Sequence, residues 1–159
     1  MKENRDEGAK AAALRLLTFR DRSTHELRVR LERDYPPEEV EKTIDYLQGI
    51  GYLDDLRFAR GYVQYRNGHR PTGNYLLRLE LSSKGVSDSH IEQVLNAPEL
   101  EYDLALELAA KRLGRLQRED ALGRCRKVYR LLQRRGFPAA VARKVIGELL
   151  DRDPEKEYN

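Results

Sequence analysis

The chain has 159 residues, of which 40% are hydrophobic and 36% charged, with a formal net charge of +3. The lone Cys125 excludes a disulfide framework and a cysteine-based metal site, and no apolar run reaches the ~18 residues a membrane helix needs. The charged share exceeds the usual ~25%, so much surface must be exposed, which suits an elongated array better than a sphere.

Met1 to Lys10 is polar and mixed in charge, without a secretory pattern, so a cytoplasmic protein is expected. Residues 1–8 read as a polar tail. The spacing of Ala13, Leu14 and Leu17 predicts a first helix over about Ala9 to Phe19. Ser23-Thr24-His25-Glu26 reads as a capping box, opening a helix that carries Leu27 and Leu31. Pro36-Pro37-Glu38-Glu39 opens a third helix, with proline near its first position and acids in its first turn. Val40, Ile44 and Leu47 form its inward stripe, and Gly49 and Gly51 end it. Asp54 or Asp55 then caps a fourth helix, about Leu56 to Arg66, with Phe58, Ala59, Tyr62 and Val63 inward. Asn67 to Gly73 is rich in breakers and reads as a loop. A fifth helix follows over about Asn74 to Ser83, with Leu77 and Leu81 inward, and a sixth follows Ser87. Asn96-Ala97-Pro98-Glu99 starts a seventh, carrying Leu104, Leu108 and Leu113. An eighth begins near Glu119, with Leu122, Cys125, Val128 and Leu132 at helical spacing. A ninth starts at Pro138, and residues 151–159 read as a second polar tail.

One phrase recurs about every fifty residues: an apolar-basic helix, a polar turn, then a short helix opened by Pro or Ser. The copies run Leu31 to Leu47, Leu81 to Leu95 and Leu132 to Leu149. Such a period implies stacked helical units and points to binding rather than catalysis. The expected fold is all-α, with three-helix repeats over 9–52, 53–96 and 97–150 in an elongated, curved array.

Charge is uneven along the chain. Gly85 to Ala110 contains no Lys or Arg and six acids, whereas Lys111 to Arg135 contains ten Lys or Arg and two acids, Glu119 and Asp120. Such blocks are candidate electrostatic footprints. Arg57, Arg60, Arg66, Arg70, Arg78 and Lys84 flank the central repeat, and Arg57 and Arg60 share a helix face. Arg115, Arg118, Arg124, Lys127, Arg130, Arg134 and Arg135 populate the third. Arginine suits bidentate contact with carboxylate or phosphate, while the simpler reading is a solvated face of weak ion pairs.

Catalytic and metal chemistry find little support. Asp54-Asp55 with Glu80 lacks a third ligand at suitable spacing, and helix capping accounts for it. His25, His69 and His90 are scattered. No glycine-lysine-serine/threonine run follows Gly68 or Gly73, so no phosphate loop is present. Tyr62, Tyr65 and Tyr75 have the chemistry to stack on bases, but core packing or a satisfied hydroxyl is the simpler reading. No nucleophile, base and orienter assemble, and no cofactor is expected.

Gly51-Tyr52-Leu53-Asp54-Asp55-Leu56-Arg57-Phe58-Ala59, continued by Tyr62-Val63 and Arg66, resembles the RecX family of recombination regulators. Leu16-Leu17, Arg20, Arg22-Ser23 and Glu26-Leu27 agree upstream. Gly73, Arg78, Glu80-Leu81, Lys84-Gly85-Val86 and Arg135-Gly136-Phe137 agree downstream. The resemblance covers about Ala9 to Leu150. It departs at Asp34-Tyr35, where the family's usual lysine-glycine pair is missing from the first repeat. It implies a tandem array of three-helix units that binds the RecA filament on DNA, touching single- or double-stranded DNA weakly or through the filament; a monomer is expected. It further implies inhibition of RecA strand exchange, ATP hydrolysis and coprotease activity in DNA repair and the SOS response. A helical-repeat protein that binds nucleic acid without a dedicated protein partner is the alternative.

Overall fold

Local capping and helical periodicity build nearly everything in this chain. The computed structural model describes residues 8–151 and contains nine α-helices and no strand among them. They are α1 (Ala9–Phe19), α2 (Thr24–Leu31), α3 (Pro37–Gly49), α4 (Asp55–His69), α5 (Asn74–Ser83), α6 (Asp88–Val94), α7 (Pro98–Leu113), α8 (Ala121–Arg134) and α9 (Ala139–Asp151). The fold is all-α, as expected. The two expected tails, apart from Gly8 and Asp151, lie outside the described residues.

Two compact units emerge, each discontinuous in sequence. One comprises residues up to 62 together with 80–94, the other 63–79 together with residues from 95 onward. In the first, Ala12, Ala13, Leu27, Leu31, Val40, Ile44, Leu47 and Leu53 form the core. Its capping box is present: Ser23 Oγ accepts the Glu26 N–H at 3.1 Å and Glu26 Oε2 accepts the Ser23 N–H at 3.3 Å. In the second, Leu104, Ala105, Ala109, Leu116, Val128, Leu132, Phe137, Ala142 and Val145 form the core.

The Gly51-to-Arg57 phrase is a folding device. Gly51 takes φ +69, the left-handed region where glycine pays no Cβ penalty, and ends α3. Arg57 donates to the Gly51 and Tyr52 carbonyls at 2.9 and 2.8 Å. Leu53 enters the core. Asp54 Oδ1 caps its own helix by accepting the Arg57 N–H at 3.0 Å, and Asp55 Oδ1 accepts the Thr24 N–H at the start of α2 at 2.7 Å. Both aspartates therefore cap, but different helices.

The later turns need glycine for a second reason. Gly85 (φ +74) and Gly136 (φ +79) are left-handed. A Cβ on Gly85 would meet His25 Cβ at 2.3 Å, and one on Gly136 would meet Leu76 Cβ at 2.3 Å. Ser23 Oγ donates to the Lys84 carbonyl at 2.5 Å, and the Gly73 N–H donates to that of Arg135 at 2.7 Å. So α2 starts against the α5–α6 turn, and α5 against the α8–α9 turn. At the corresponding place in the first repeat Asp34 is exposed and pairs with Arg30 at 2.6 Å. The departure at Asp34-Tyr35 thus places an ion-paired acid at the turn, followed by a tyrosine packed against the first unit's core.

Two expectations need correction. Helix α4 runs on through Asn67, Gly68 and His69, because Arg70 N–H still donates to Arg66 O at 2.8 Å. Pro71, which disfavours helix in the residue before it, ends the helix. Leu122 is 58% exposed rather than inward: repeated steps of three drift around a 3.6-residue turn, leaving Leu122 about 120° from Val128. Tyr62 follows the simpler reading: it is half-buried, its hydroxyl donating to Glu80 Oε2 at 2.9 Å.

Candidate functional site

The second unit carries a basic surface whose scaffold is mainly apolar. On α8, Val128 and Leu132 are fully buried while Lys127, Arg130 and Arg134 are exposed. Arg112 sits in the last turn of α7, where the helix dipole favours a cation. Together with Tyr129 and Gln133, these cations line a groove of about 540 Å³.

A second cluster adjoins it through Arg134. Arg135 is half-buried and donates to the Pro71 carbonyl at 3.2 Å. Burial lowers its pKa, and the fields of Arg70, Arg66 and Arg134 lower it further. The Gly73 N–H bond to the Arg135 carbonyl at 2.7 Å holds the segment that follows α4 against the end of α8, and so brings Arg66 and Arg70 into the same unit as Arg134 and Arg135. Arginine nevertheless stays charged near neutrality.

Neutralising acids are few here. Glu107 pairs with Lys111 and Glu119 with Lys127, each at 2.5 Å. Among the described residues Arg112, Arg130 and Arg134 have no ion pair. Arg126, Arg130 and Arg134 stand four apart, and like charges at that spacing cost about 0.2–0.5 kcal/mol per pair. A bound polyanion would remove that cost.

The other candidates lie elsewhere. Arg57, Arg60 and Lys84 belong to the first unit. Arg57 holds backbone carbonyls, and Lys84 pairs with Glu26 at 3.0 Å beside the Tyr62 ring. Arg60 is exposed on α4 and Arg78 on α5. Arg115 and Arg118 are exposed in the α7–α8 connection, and Arg124 is half-buried near the start of α8. Tyr65 and Tyr75 are exposed, at 60% and 66%, so neither is a core residue. Sequence reasoning did not single out Arg112, Tyr129 or Gln133. The available signals were the Arg112 position at a helix end and the four-residue spacing of Tyr129 and Gln133. Among the described residues no group of three or more His, Cys, Asp or Glu gathers, and no helix is long and apolar enough to cross a membrane.

Comparison with known proteins agrees with the architecture. Residues 9–47, 54–95 and 99–146 match the first, second and third three-helix domains of RecX. The compact units are out of phase with these domains, since their boundaries fall inside α4 and α5. The regulatory protein RecX of Chlorobium phaeobacteroides is 33% identical over 153 residues, covering 94% of this chain and 98% of its own. That of Mycobacterium avium is 36% identical over 148 residues, covering 90% and 85%. The crystal structure of RecX from Lactobacillus salivarius superposes with a TM-score of 0.79 at 24% identity, over 89% of this chain and 94% of that one. A second crystal structure, of a regulatory protein RecX, gives 0.75 at 29% identity over 86% and 69%. With three matched domains in order and such relatives aligned over most of their length, the chain belongs to the RecX family of regulatory proteins.

Proposed function

We propose that this protein binds the RecA nucleoprotein filament and inhibits its recombinase, ATPase and coprotease activities, acting in the cytoplasm during DNA repair and the SOS response. It works by binding, without catalysis. The observation that carries the reading is the docking of the segment after α4 on the end of α8, through Arg135 to the Pro71 carbonyl and Gly73 to the Arg135 carbonyl, which puts Arg66, Arg70, Arg134 and Arg135 in one unit. Residues of two repeats build this surface. A filament presents both carboxylates and phosphates, and guanidinium binds either bidentately. Occupying such sites excludes incoming subunits or duplex DNA.

The test is single-strand-dependent ATP hydrolysis by RecA, with this protein added below stoichiometry. Inhibition at a small fraction of the RecA concentration is expected. The variant Arg70→Glu/Arg130→Glu/Arg134→Glu alters exposed positions and should lose inhibition while melting like the parent. Unchanged inhibition by the folded variant would remove this surface from the mechanism.

The shortage of neutralising acids favours a second reading, a nucleic-acid-binding protein without a dedicated partner. Under it, inhibition appears only once the strand itself is saturated. About 6–10 phosphate contacts would also lose ~10³–10⁵ in affinity between 50 and 200 mM salt.

A further inference from the structure

We infer that the α7–α8 groove holds one nucleotide of a single-stranded nucleic acid. The base would lie against Tyr129, and the flanking phosphates would meet Arg112, Lys127, Arg130 and Arg134. The inference deepens the proposed reading and shares its cations, but it concerns binding without RecA.

The groove measures about 540 Å³, within the roughly 300–1,000 Å³ of small-ligand sites. That is a space for one nucleotide rather than for a duplex. Paired bases are stacked inside a duplex and enter a pocket only when flipped out, whereas an unpaired strand offers them freely. Four cations line the groove, and Glu119, paired with Lys127, is the acid beside them. Lys127, Arg130 and Arg134 follow one another along α8, about 10 Å from first to last at 1.5 Å per residue. A line of cations suits a repeating polyanion.

The other two lining residues add what plain charge lacks. Tyr129 is half-buried against the core, and its hydroxyl has no hydrogen-bond partner among the described residues. Gln133 uses its Nε2 to donate to the Phe137 carbonyl at 2.9 Å, which fixes its amide and leaves Oε1 as an acceptor. An aromatic ring, an oriented amide and a basic groove are the parts used to hold unpaired bases. An acidic peptide would need the cations alone.

The experiment is fluorescence anisotropy of a labelled fifteen-nucleotide oligothymidine with the full chain, RecA absent, at low and moderate salt. Saturable binding is expected, at least tenfold tighter than to a duplex of equal length. Removing Arg112, Arg130 or Arg134 should each flatten the log–log salt slope by about 0.7. Tyr129→Leu keeps an apolar body and should weaken binding about tenfold with the salt slope unchanged. As a control for folding, the unmodified protein should photocrosslink at Tyr129 to an oligonucleotide carrying 5-iodouracil.

Equal affinity for duplex, displacement by polyglutamate at matched charge, or crosslinking that avoids Tyr129 would each overturn the inference. So would no binding at low salt. Displacement by submillimolar ATP would assign the groove to a free nucleotide and overturn the single-strand reading. Oligonucleotide binding that persists while RecA is not inhibited would sink the filament reading alone.

Discussion

Glu101 Oε1 accepts the backbone N–H of Asn74 at 2.7 Å, across twenty-seven residues of sequence. It is the counterpart of Asp55, which accepts the Thr24 N–H at the same distance. In each case an acid in the first turns of one helix satisfies the first N–H of another, where the dipole favours negative charge. For α5 the arrangement is forced. Its start is Gly73, where a Cβ would come within 2.2 Å of the Gly136 carbonyl oxygen, so no capping side chain fits. Asn67, Asn74 and Asn96 exchange further hydrogen bonds of 2.7–3.3 Å around the same corner.

Glu101 is only 7% exposed, so its loss would strand a buried donor. Glu101→Ala is expected to cost about 1–3 kcal/mol, the penalty for an unsatisfied buried group. Glu101→Gln keeps an acceptor and should cost less. Urea titrations with an unchanged m-value would show this ordering, and equal losses would contradict the capping role.

The three left-handed glycines separate backbone strain from close approach. Gly51 has nothing within 4 Å of its would-be Cβ, whereas Gly85 and Gly136 face atoms at 2.3 Å. Gly51→Ala should therefore cost about 1–2 kcal/mol, from conformation alone. Gly85→Ala and Gly136→Ala add overpacking of about 1–3 kcal/mol. Chemical denaturation of the three variants checks this; similar losses at all three would show that packing at the turns is slack.

Acid should weaken the first unit in a particular way. Burial opposes charge on Glu26, but hydrogen bonds from Lys84, Arg20 and the Ser23 N–H outweigh it and hold its pKa below the ordinary value. The Arg57 N–H chiefly does the same for Asp54. A carboxyl whose folded pKa is depressed contributes stability above its unfolded pKa, about 4, and loses it as pH falls through the folded value. Glu26→Gln should thus be less stable than the parent at pH 7, with the gap closing below about pH 4. Thermal melts from pH 7 to 3 measure it, and a pH-independent gap would contradict the assignment.

Arg57 and Arg60 lie on one helix but do different things. Arg57→Ala frees the Gly51 and Tyr52 carbonyls from their donor and should cost about 1 kcal/mol. Arg60 is exposed, and Arg60→Ala should stay within ±0.5 kcal/mol. Parallel melts decide between this and two interchangeable surface charges.

Local chemistry explains what the sequence made readable. The Ser23 box, the Pro37 start and the Val40-Ile44-Leu47 stripe each depend on neighbours within about a turn. The candidate site did not read out that way. Arg66 and Arg70 reach Arg134 and Arg135 only through the fold, more than sixty residues along the chain. The choice between Asp54 and Asp55 had no answer in local terms, because the second aspartate serves α2. Leu122 was misplaced because three-residue spacing imitates a stripe for one turn and then walks off it.

The start of α5 depends on Glu101 and on the turn at Gly136, and both are made after it. A ribosome adds about 5–20 residues each second. From the end of α5 to Gly136 the nascent chain therefore waits about 3–10 s. Glu101 follows after about 1–4 s, but until Gly136 is made α5 lacks the turn against which it starts, and a chain halted after α6 would acquire neither. Translation speed between the codons for α6 and Gly136 thus sets how long this helix stays unprotected during synthesis.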